Sequence, residues 1–472
     1  MAFEKRLTRI SFSAFKRWLL LISLLSLFLR FWQLGQFNQL VFDEVYYAKF
    51  ANNYLIGKEF FNSHPPLSQY LIAIGIWLGS QLPASPESLN ELTGSLRSTL
   101  SYRWLNAFSG TFVPLIVAAI AYRLTKLPRY ALIAAIFAST DGLFLVESRY
   151  ALNNIYLVIF GLLGHLLFLY YCFGKKNRQY HLLISGVCFG AAATIKWNGL
   201  SFLLGVYGLF LAAKVISFSR YNANSDVDKK VSQVNNPWYK ISQVKLTYFL
   251  YYFLALPIAV YSLLWIPHLI MNPDYNFWQI QQQIFSYHQG IGNTPDVHPY
   301  CSPWYSWIIL WRPIAYYYQV SDNPERIYDV HAMGNPILWW LSSAAVFYLF
   351  IAFIAQFWDK LRETIGMKQY DNQTIFLWSY ILLNYIANLL PWMSIKRCTF
   401  LYHYMGAYVF SWLALAWSVE YCLAQQQLRF KCVGLAIILG VIIAFVFWLP
   451  IYLGIPLSPA GFKARMLFPN WI

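Results

Sequence analysis

The chain has 472 residues, 58% hydrophobic and 20% aromatic but only 11% charged, with a formal net charge of +16. This composition, with a mean hydropathy of +0.44, excludes an ordinary soluble globular domain. The basic residues are spread over short segments between apolar runs rather than gathered on one domain, which argues against a nucleic-acid partner and for positive-inside membrane topology.

A helix needs roughly 20 apolar residues to cross a bilayer. About eleven such runs, at 18–36, 103–123, 130–147, 151–173, 181–196, 199–216, 246–270, 336–358, 374–391, 399–423 and 432–456, predict an all-α polytopic membrane protein. Lys5, Arg6, Arg9, Lys16 and Arg17 place the N-terminus in the cytoplasm, and alternation then puts the C-terminus outside. No small-residue cleavage site follows the first run, which predicts a retained helix rather than a signal peptide.

Two outer loops are long, at about 38–102 and 271–335. In the first, "EVYYAKFANNYLIG", closed by Gly57, and "PPLSQYLIAIGIWLGSQL" predict two short helices at the membrane surface. The polar stretch Ser217 to Lys245 is expected to be a solvated cytoplasmic linker. The last four runs form a C-terminal part at about 336–472, and residues 1–472 are expected to make one transmembrane domain. The six cysteines lack C-x-x-C spacing, which disfavours metal or redox chemistry, while Cys301 and Cys398 both fall where a disulfide is able to form.

Acids are scarce, yet Asp43 and Glu44 stand side by side in "VFDEVYYAKF". Asp43 is either the N-cap of the helix that follows or a site acid. Adjacent residues diverge by about 100° on a helix, so the two cannot form a paired dyad and any roles they have differ. His64, in "NSHPPL", fits a satisfied turn histidine better than a catalytic one, since two prolines hold the backbone extended there. Arg103 and Arg149 lie at outer helix ends, with Asp141 and Glu147 at similar depth as possible ion-pair partners for Arg149. Lys196 and the pair Lys396–Arg397 occupy other outer turns. Each alone fits a snorkelling anchor, but together these outer cations suit an anion such as a phosphate at the lipid interface. Trp304, Trp307 and Trp311 recur at helical spacing, as in an interfacial aromatic belt, with sugar stacking as the alternative.

At these residues the chain resembles the protein O-mannosyltransferases, integral membrane enzymes of glycosyltransferase family 39. "FDEVYYAKFANNYLIGKEFFNSHPPL" is similar to the family's first-loop signature, and "RWLNAFSGTFVPL", "LVESRYALNN", "GAAATIKWNGL", "GNPILWW" and "SIKRCTFLYHY" follow in the family's order. The resemblance implies a GT-C-type fold of about eleven transmembrane helices with its active site on the non-cytoplasmic face. It implies inverting transfer of mannose from a polyprenyl (dolichyl-type) phosphate mannose to Ser or Thr hydroxyls of proteins. By resemblance Asp43 and Glu44 match the acidic pair, Arg103 the second-helix arginine and Lys196 the lysine before Trp197. Two departures stand out. The family often has an Asp two residues before the His, where this chain has Asn62. The second long loop is too short for the MIR domain of eukaryotic members, so the chain resembles a bacterial, plasma-membrane type.

For such a reaction a hydroxyl needs a base, and a phosphate leaving group needs cations. Asp43 is the expected base, Glu44 a helper that orients acceptor or backbone, and His64, Arg103, Arg149, Lys196, Lys396 and Arg397 are candidate donor-binding residues. No ligand spacing of the H-E-x-x-H kind occurs, so no metal and no further cofactor are expected, with divalent-ion dependence left open. The expected partners are membrane lipid, the lipid-linked donor and secreted or membrane protein acceptors. Family members often dimerise, although no segment here argues for it. The rival readings are a GT-C enzyme with a lipid or glycan acceptor, and a polytopic transporter or flippase. The latter would place charges along a central path between matched halves.

Overall fold

The computed structural model describes residues 10–174, 178–222, 236–292, 297–322, 325–358, 363 and 371–472. Lys5, Arg6 and Arg9 and much of the linker expected at 217–245 lie outside the described residues.

The expected apolar runs are helical. Helix α1 (Phe12–Phe31) opens on Ser11, whose hydroxyl accepts from the Ala14 N–H at 3.1 Å and satisfies one free amide of the first turn. The first loop carries α2 (Glu44–Ile56), closed by Gly57 in the left-handed conformation (φ 67°), and α3 (Leu67–Gly79), capped by Pro66. Helices α4 (Thr99–Thr111) and α5 (Val113–Thr125) together make one span. Next come α6 (Pro128–Ser139), α7 (Gly142–Arg149), α8 (Asn154–Cys172), α9 (Tyr180–Ala193) and α10 (Leu200–Asn222). The chain continues through α11 (Pro237–Ser242), then α12 (Leu246–Leu250), a π turn at Tyr251–Ala255, α13 (Leu256–Leu264) and α14 (Ile266–Met271) as a single run. Helices α15 (Phe277–Gly290) and α16 (Trp304–Trp307) precede the C-terminal α17 (Pro336–Phe357), α18 (Asn372–Leu389), α19 (Met405–Ala424) and α20 (Leu428–Leu453).

Among the described residues nine helices are long and apolar enough to cross a membrane, or ten if the bent pair α6–α7 is one span. The run expected at 130–147 is broken by 58° between α6 and α7, because Asp141 starts a new helix by accepting from the Phe144 N–H at 2.9 Å. The run at 181–196 yields the 14-residue α9, about 21 Å long and short of the hydrocarbon thickness.

The two long loops also contain strands that the all-α expectation leaves out. Hairpin β1–β2 (Leu89–Leu92, Ser95–Ser98) closes the first loop, and β3–β4 (Ile314–Asp322, Glu325–Ala332) fills the second. The β3–β4 pairing has a register shift between Ala315 and Tyr317. The helix expected from the Trp304, Trp307 and Trp311 spacing lasts a single turn. Leu310 turns left-handed (φ 58°) and Pro313 follows, so the turn cannot propagate. Trp307 is buried and donates to Ser302 Oγ at 3.0 Å, whereas Trp311 is exposed. The three do not form one belt.

Helices pack through small residues where backbones approach. A Cβ at Gly205 of α10 would fall 1.8 Å from Asn384 Oδ1 of α18, so this contact requires glycine. The α10–α18 contact and the α13–α9 contact flank the region in which the outer-loop cations converge.

Candidate active site

Asp43 and Glu44 face different surroundings because the backbone turns sharply before them. Phe42 takes a left-handed conformation (φ 51°), costly for a side chain with a Cβ. Its ring is held by parallel stacking on Tyr316 of β3, 4.1 Å between centroids and 9° between planes. The turn folds Glu44 inward, fully buried. Its Oε2 accepts from the Val41 N–H at 2.9 Å and its Oε1 from the Ala151 N–H at 2.8 Å. Asp43 sits at the N-cap position of α2, but its side chain makes no capping bond, so the carboxylate does not serve as the cap. Among the described residues no hydrogen bond to the Asp43 carboxylate is found, and its charge interacts with that of Lys196.

Arg103 is not placed to meet a phosphate. Its Nε donates to Glu44 Oε1 at 2.9 Å and one terminal nitrogen to Glu44 Oε2 at 2.7 Å. The terminal nitrogens also donate to the carbonyls of Leu34, Phe37 and Gln39. Five bonds use the five donors of a guanidinium, and the group is fully buried. Arg149 is likewise committed. It donates to the carbonyls of Leu29, Arg30, Trp32 and Gln33 and so satisfies the free end of α1, in place of the expected pairing with Glu147 or Asp141. Asp141 instead accepts from Tyr408 Oη at 3.0 Å and from the Asn335 N–H at 3.2 Å.

The remaining candidates converge on one cavity of about 1800 Å³. Its outer part is lined by His64, Lys196, His288, Lys396, Arg397 and His403. Its inner part is apolar, made by Leu200, Leu203 and Leu204 of α10 against Phe253, Pro257 and Ile258 of the α12–α14 run. No acid lines it. Lys196, only 4% exposed, donates to Asn154 Oδ1 at 2.9 Å and lies 5.1 Å from the centroid of the Tyr402 ring. His64 stacks on His288 at 5.1 Å, and His288 Nε2 donates to the Ser63 carbonyl at 2.9 Å. The loop bearing Lys396 and Arg397 is tied down on its far side. Cys398 is bonded to Cys301 with Cα atoms 5.2 Å apart, the Cys398 N–H donates to the Gly292 carbonyl, and the Ser302 N–H to the Thr399 carbonyl. The disulfide left open from the sequence is thus formed.

Burial governs the charges. Asp43 is pushed up to about 6 by desolvation, opposed by the nearby Lys196 ammonium. Desolvation likewise pushes Lys196 down, to about 8, while the carboxylates of Asp43 and Glu147 hold it up. Desolvation, then the charge of Lys196, keeps His64 well below its usual range, so it is a neutral imidazole at pH 7. Among the described residues no three of His, Cys, Asp or Glu come together in a way that could hold a metal ion.

Two family models cover the chain almost end to end: dolichyl-phosphate-mannose-protein mannosyltransferase over residues 20–271, and the C-terminal four-TMM region of protein-O-mannosyltransferase over residues 274–471. The chain belongs to the protein O-mannosyltransferase family. Similar curated family members include the polyprenol-phosphate-mannose–protein mannosyltransferase of Mycolicibacterium smegmatis, 23% identical over 86% of this chain and 81% of that protein. The enzyme of the same description from Mycobacterium tuberculosis is 22% identical over 96% and 91%. Among solved structures, the protein O-mannosyltransferase Pmt1–Pmt2 complex of Saccharomyces cerevisiae, bound to the sugar donor, superposes with a TM-score of 0.80 at 14% identity. It covers 98% of this chain and 93% of that one. An Archaeoglobus fulgidus oligosaccharyltransferase matches with a TM-score of 0.52 at 15% identity over 94% and 53%. The likeness agrees with the expected GT-C architecture, and the chain is a multi-pass membrane protein.

The candidate site also contains residues that carry no clear signal in the sequence. His288 and His403 lie hundreds of residues in sequence from His64, and no spacing rule joins them. Tyr316 fell within a run taken for an aromatic belt, although the alternation of Ile314 and Tyr316 and then of Tyr328 and Val330 carries a strand signal. If Asp43 serves this mannosyltransferase as a base, protonation removes its function. The rate is therefore expected to fall as pH drops through about 6, a limb that a pH profile of kcat/KM with a saturating peptide would display and that an ordinary aspartate would place about two units lower.

Proposed function

We propose that the protein transfers mannose from a polyprenyl phosphate mannose to Ser or Thr hydroxyls of proteins, with inversion, at the non-cytoplasmic face of a bacterial plasma membrane. The observation that carries this reading is the two-part cavity beside Asp43. Its cationic outer end suits a phosphate, and its apolar inner part, built from spanning helices, suits the hydrocarbon tail on that phosphate. A transporter would not need a carboxylate, Asp43, set within electrostatic reach of the cavity's Lys196.

In this reading Asp43 accepts the hydroxyl proton as the acceptor oxygen attacks the anomeric carbon from the side opposite the phosphate. The carbon–oxygen bond to the phosphate breaks, and polyprenyl phosphate leaves with the bonding pair. Inversion in one displacement asks for one base only, in keeping with a single free acid. Lys196, Lys396 and Arg397 stabilise the charge that grows on the departing phosphate. His64, being neutral, supplies a hydrogen bond rather than a charge. Glu44 and Arg103 hold the turn that presents Asp43, so of Glu44's two expected tasks the backbone one is retained. The lipid donor brings a single phosphate that these cations match, and no metal is assigned a part.

Purified enzyme with labelled donor should label a Ser/Thr peptide. Labelling of a lipid acceptor instead would move the protein to the rival GT-C class. Lys196→Met is expected to lower kcat/KM by about 100-fold, the usual scale for losing one group that stabilises developing charge. A donor titration and initial rates would check it, and wild-type kinetics in that variant would remove Lys196 from the site.

A further inference from the structure

The mechanism above leaves unused a fully buried carboxylate beside the site, Glu147 of α7. Both of its oxygens are engaged. Oε1 accepts a short hydrogen bond from the Tyr316 hydroxyl, and Oε2 accepts from Asn154 Nδ2 at 3.1 Å. The same Asn154 side chain turns its carbonyl oxygen to Lys196 Nζ at 2.9 Å. An amide that donates at one end and accepts at the other has a single consistent orientation, so the carboxylate at one end fixes the acceptor offered to the ammonium at the other. Tyr316 also stacks on Phe42, the residue whose left-handed turn presents Asp43. The outer hairpin therefore touches both working groups: Asp43 through the Phe42 ring, and Lys196 through Glu147 and Asn154.

We infer that Glu147 is a positioning residue for mannosyl transfer, which with Asn154 and Tyr316 aims the Lys196 ammonium and keeps it charged. This rests on the proposed role of Lys196 at the donor phosphate. The groups whose charges reach Lys196 are Asp43, Glu147 and Arg397, with the rings of His64, His288, His403 and Tyr402 alongside. Among the described residues only the charges of Asp43 and Glu147 oppose the loss of its proton. With Asp43 facing the acceptor, Glu147 is the counter-charge that stays in place throughout the reaction.

The test is the alkaline limb of kcat/KM, which a merely structural role would not move. In wild type the rate is expected to decline above pH 8 as Lys196 loses its proton. Glu147→Gln keeps the shape and, with its amide oxygen accepting from Asn154 and its amide nitrogen donating to the Tyr316 oxygen, keeps both contacts but removes the charge, so it should move that limb about one pH unit lower and cut kcat/KM at pH 8 by about fivefold. Tyr316→Phe, a smaller change on the outer hairpin, should move the limb the same way by less. The double variant should fall short of the sum of the two, since both act through one carboxylate. If Glu147→Gln proves unstable in detergent, Tyr316→Phe decides alone. A limb left at its wild-type position in a folded variant overturns the inference, even if activity has dropped. Lys196→Met separates the two levels. If that variant is inactive while Glu147→Gln leaves the limb in place, the assignment of Glu147 fails and the reading of the site stands. If Lys196→Met is fully active, the underlying reading fails.

Discussion

Asp43→Asn is expected to lower transfer by about 10³-fold or more, the upper range for removing a positioned general base, while the protein folds and binds donor as wild type does. The reason lies in what the carboxylate does not do. It makes no hydrogen bond among the described residues and caps no backbone amide of α2. Its cost to the fold is already present, because desolvation holds it near 6. Removing the charge should therefore relieve rather than strain the native state, a combination that marks a functional group. Labelled-mannose transfer to a peptide, run beside a thermal melt in detergent, gives both halves of the result. A variant with near-normal transfer would end the assignment of Asp43 as base.

Arg103→Ala should do the opposite. Glu44 would be left as a buried carboxylate without its cation, and the carbonyls of Leu34, Phe37 and Gln39 would lose their donors. Breaking one side of a buried pair costs about 3–5 kcal/mol, most of which should appear as a lower melting temperature or loss of monodisperse protein before any effect on chemistry is measurable. Glu44→Ala should destabilise by a similar amount, and the double variant by less than the sum of the two. A stable, monodisperse Arg103→Ala protein with selectively lost donor binding would return Arg103 to the phosphate site. The two neighbouring acids are thus separated by experiment: Asp43 through rate, Glu44 through stability.

Much of this was legible in the chain because membranes impose simple rules. Apolar length located the spans, Gly57 closed α2, and the scarcity of acids drew attention to Asp43. What composition cannot carry is who meets whom. Arg103, Arg149 and Lys196 look alike in sequence, each a cation near an outer helix end. Only the fold gives the first a carboxylate and three carbonyls, the second the end of α1, and the third an open cavity. The bend between α6 and α7 was hidden for a related reason: Asp141 sits inside an apolar run that hydropathy treats as one helix, and its capping bond depends on local backbone geometry. The hairpins are hard to read because aromatic density suited to a membrane surface masks the strand alternation of β3 and β4.

The Cys301–Cys398 bond joins two parts of the chain 97 residues apart, one beside the outer hairpin and the other next to Arg397. By loop-closure entropy such a link is worth about 4–5 kcal/mol against the unfolded chain, and it forms only where thiols are oxidised. The segment carrying Lys396 and Arg397 follows a spanning helix, and its partner lies upstream of another. Maturation of this enzyme therefore has an order. The helices can insert first, but the tie on the loop that bears Lys396 and Arg397 closes only after both cysteines meet an oxidising environment, so a copy kept in a reducing one would hold its spans with that loop untied.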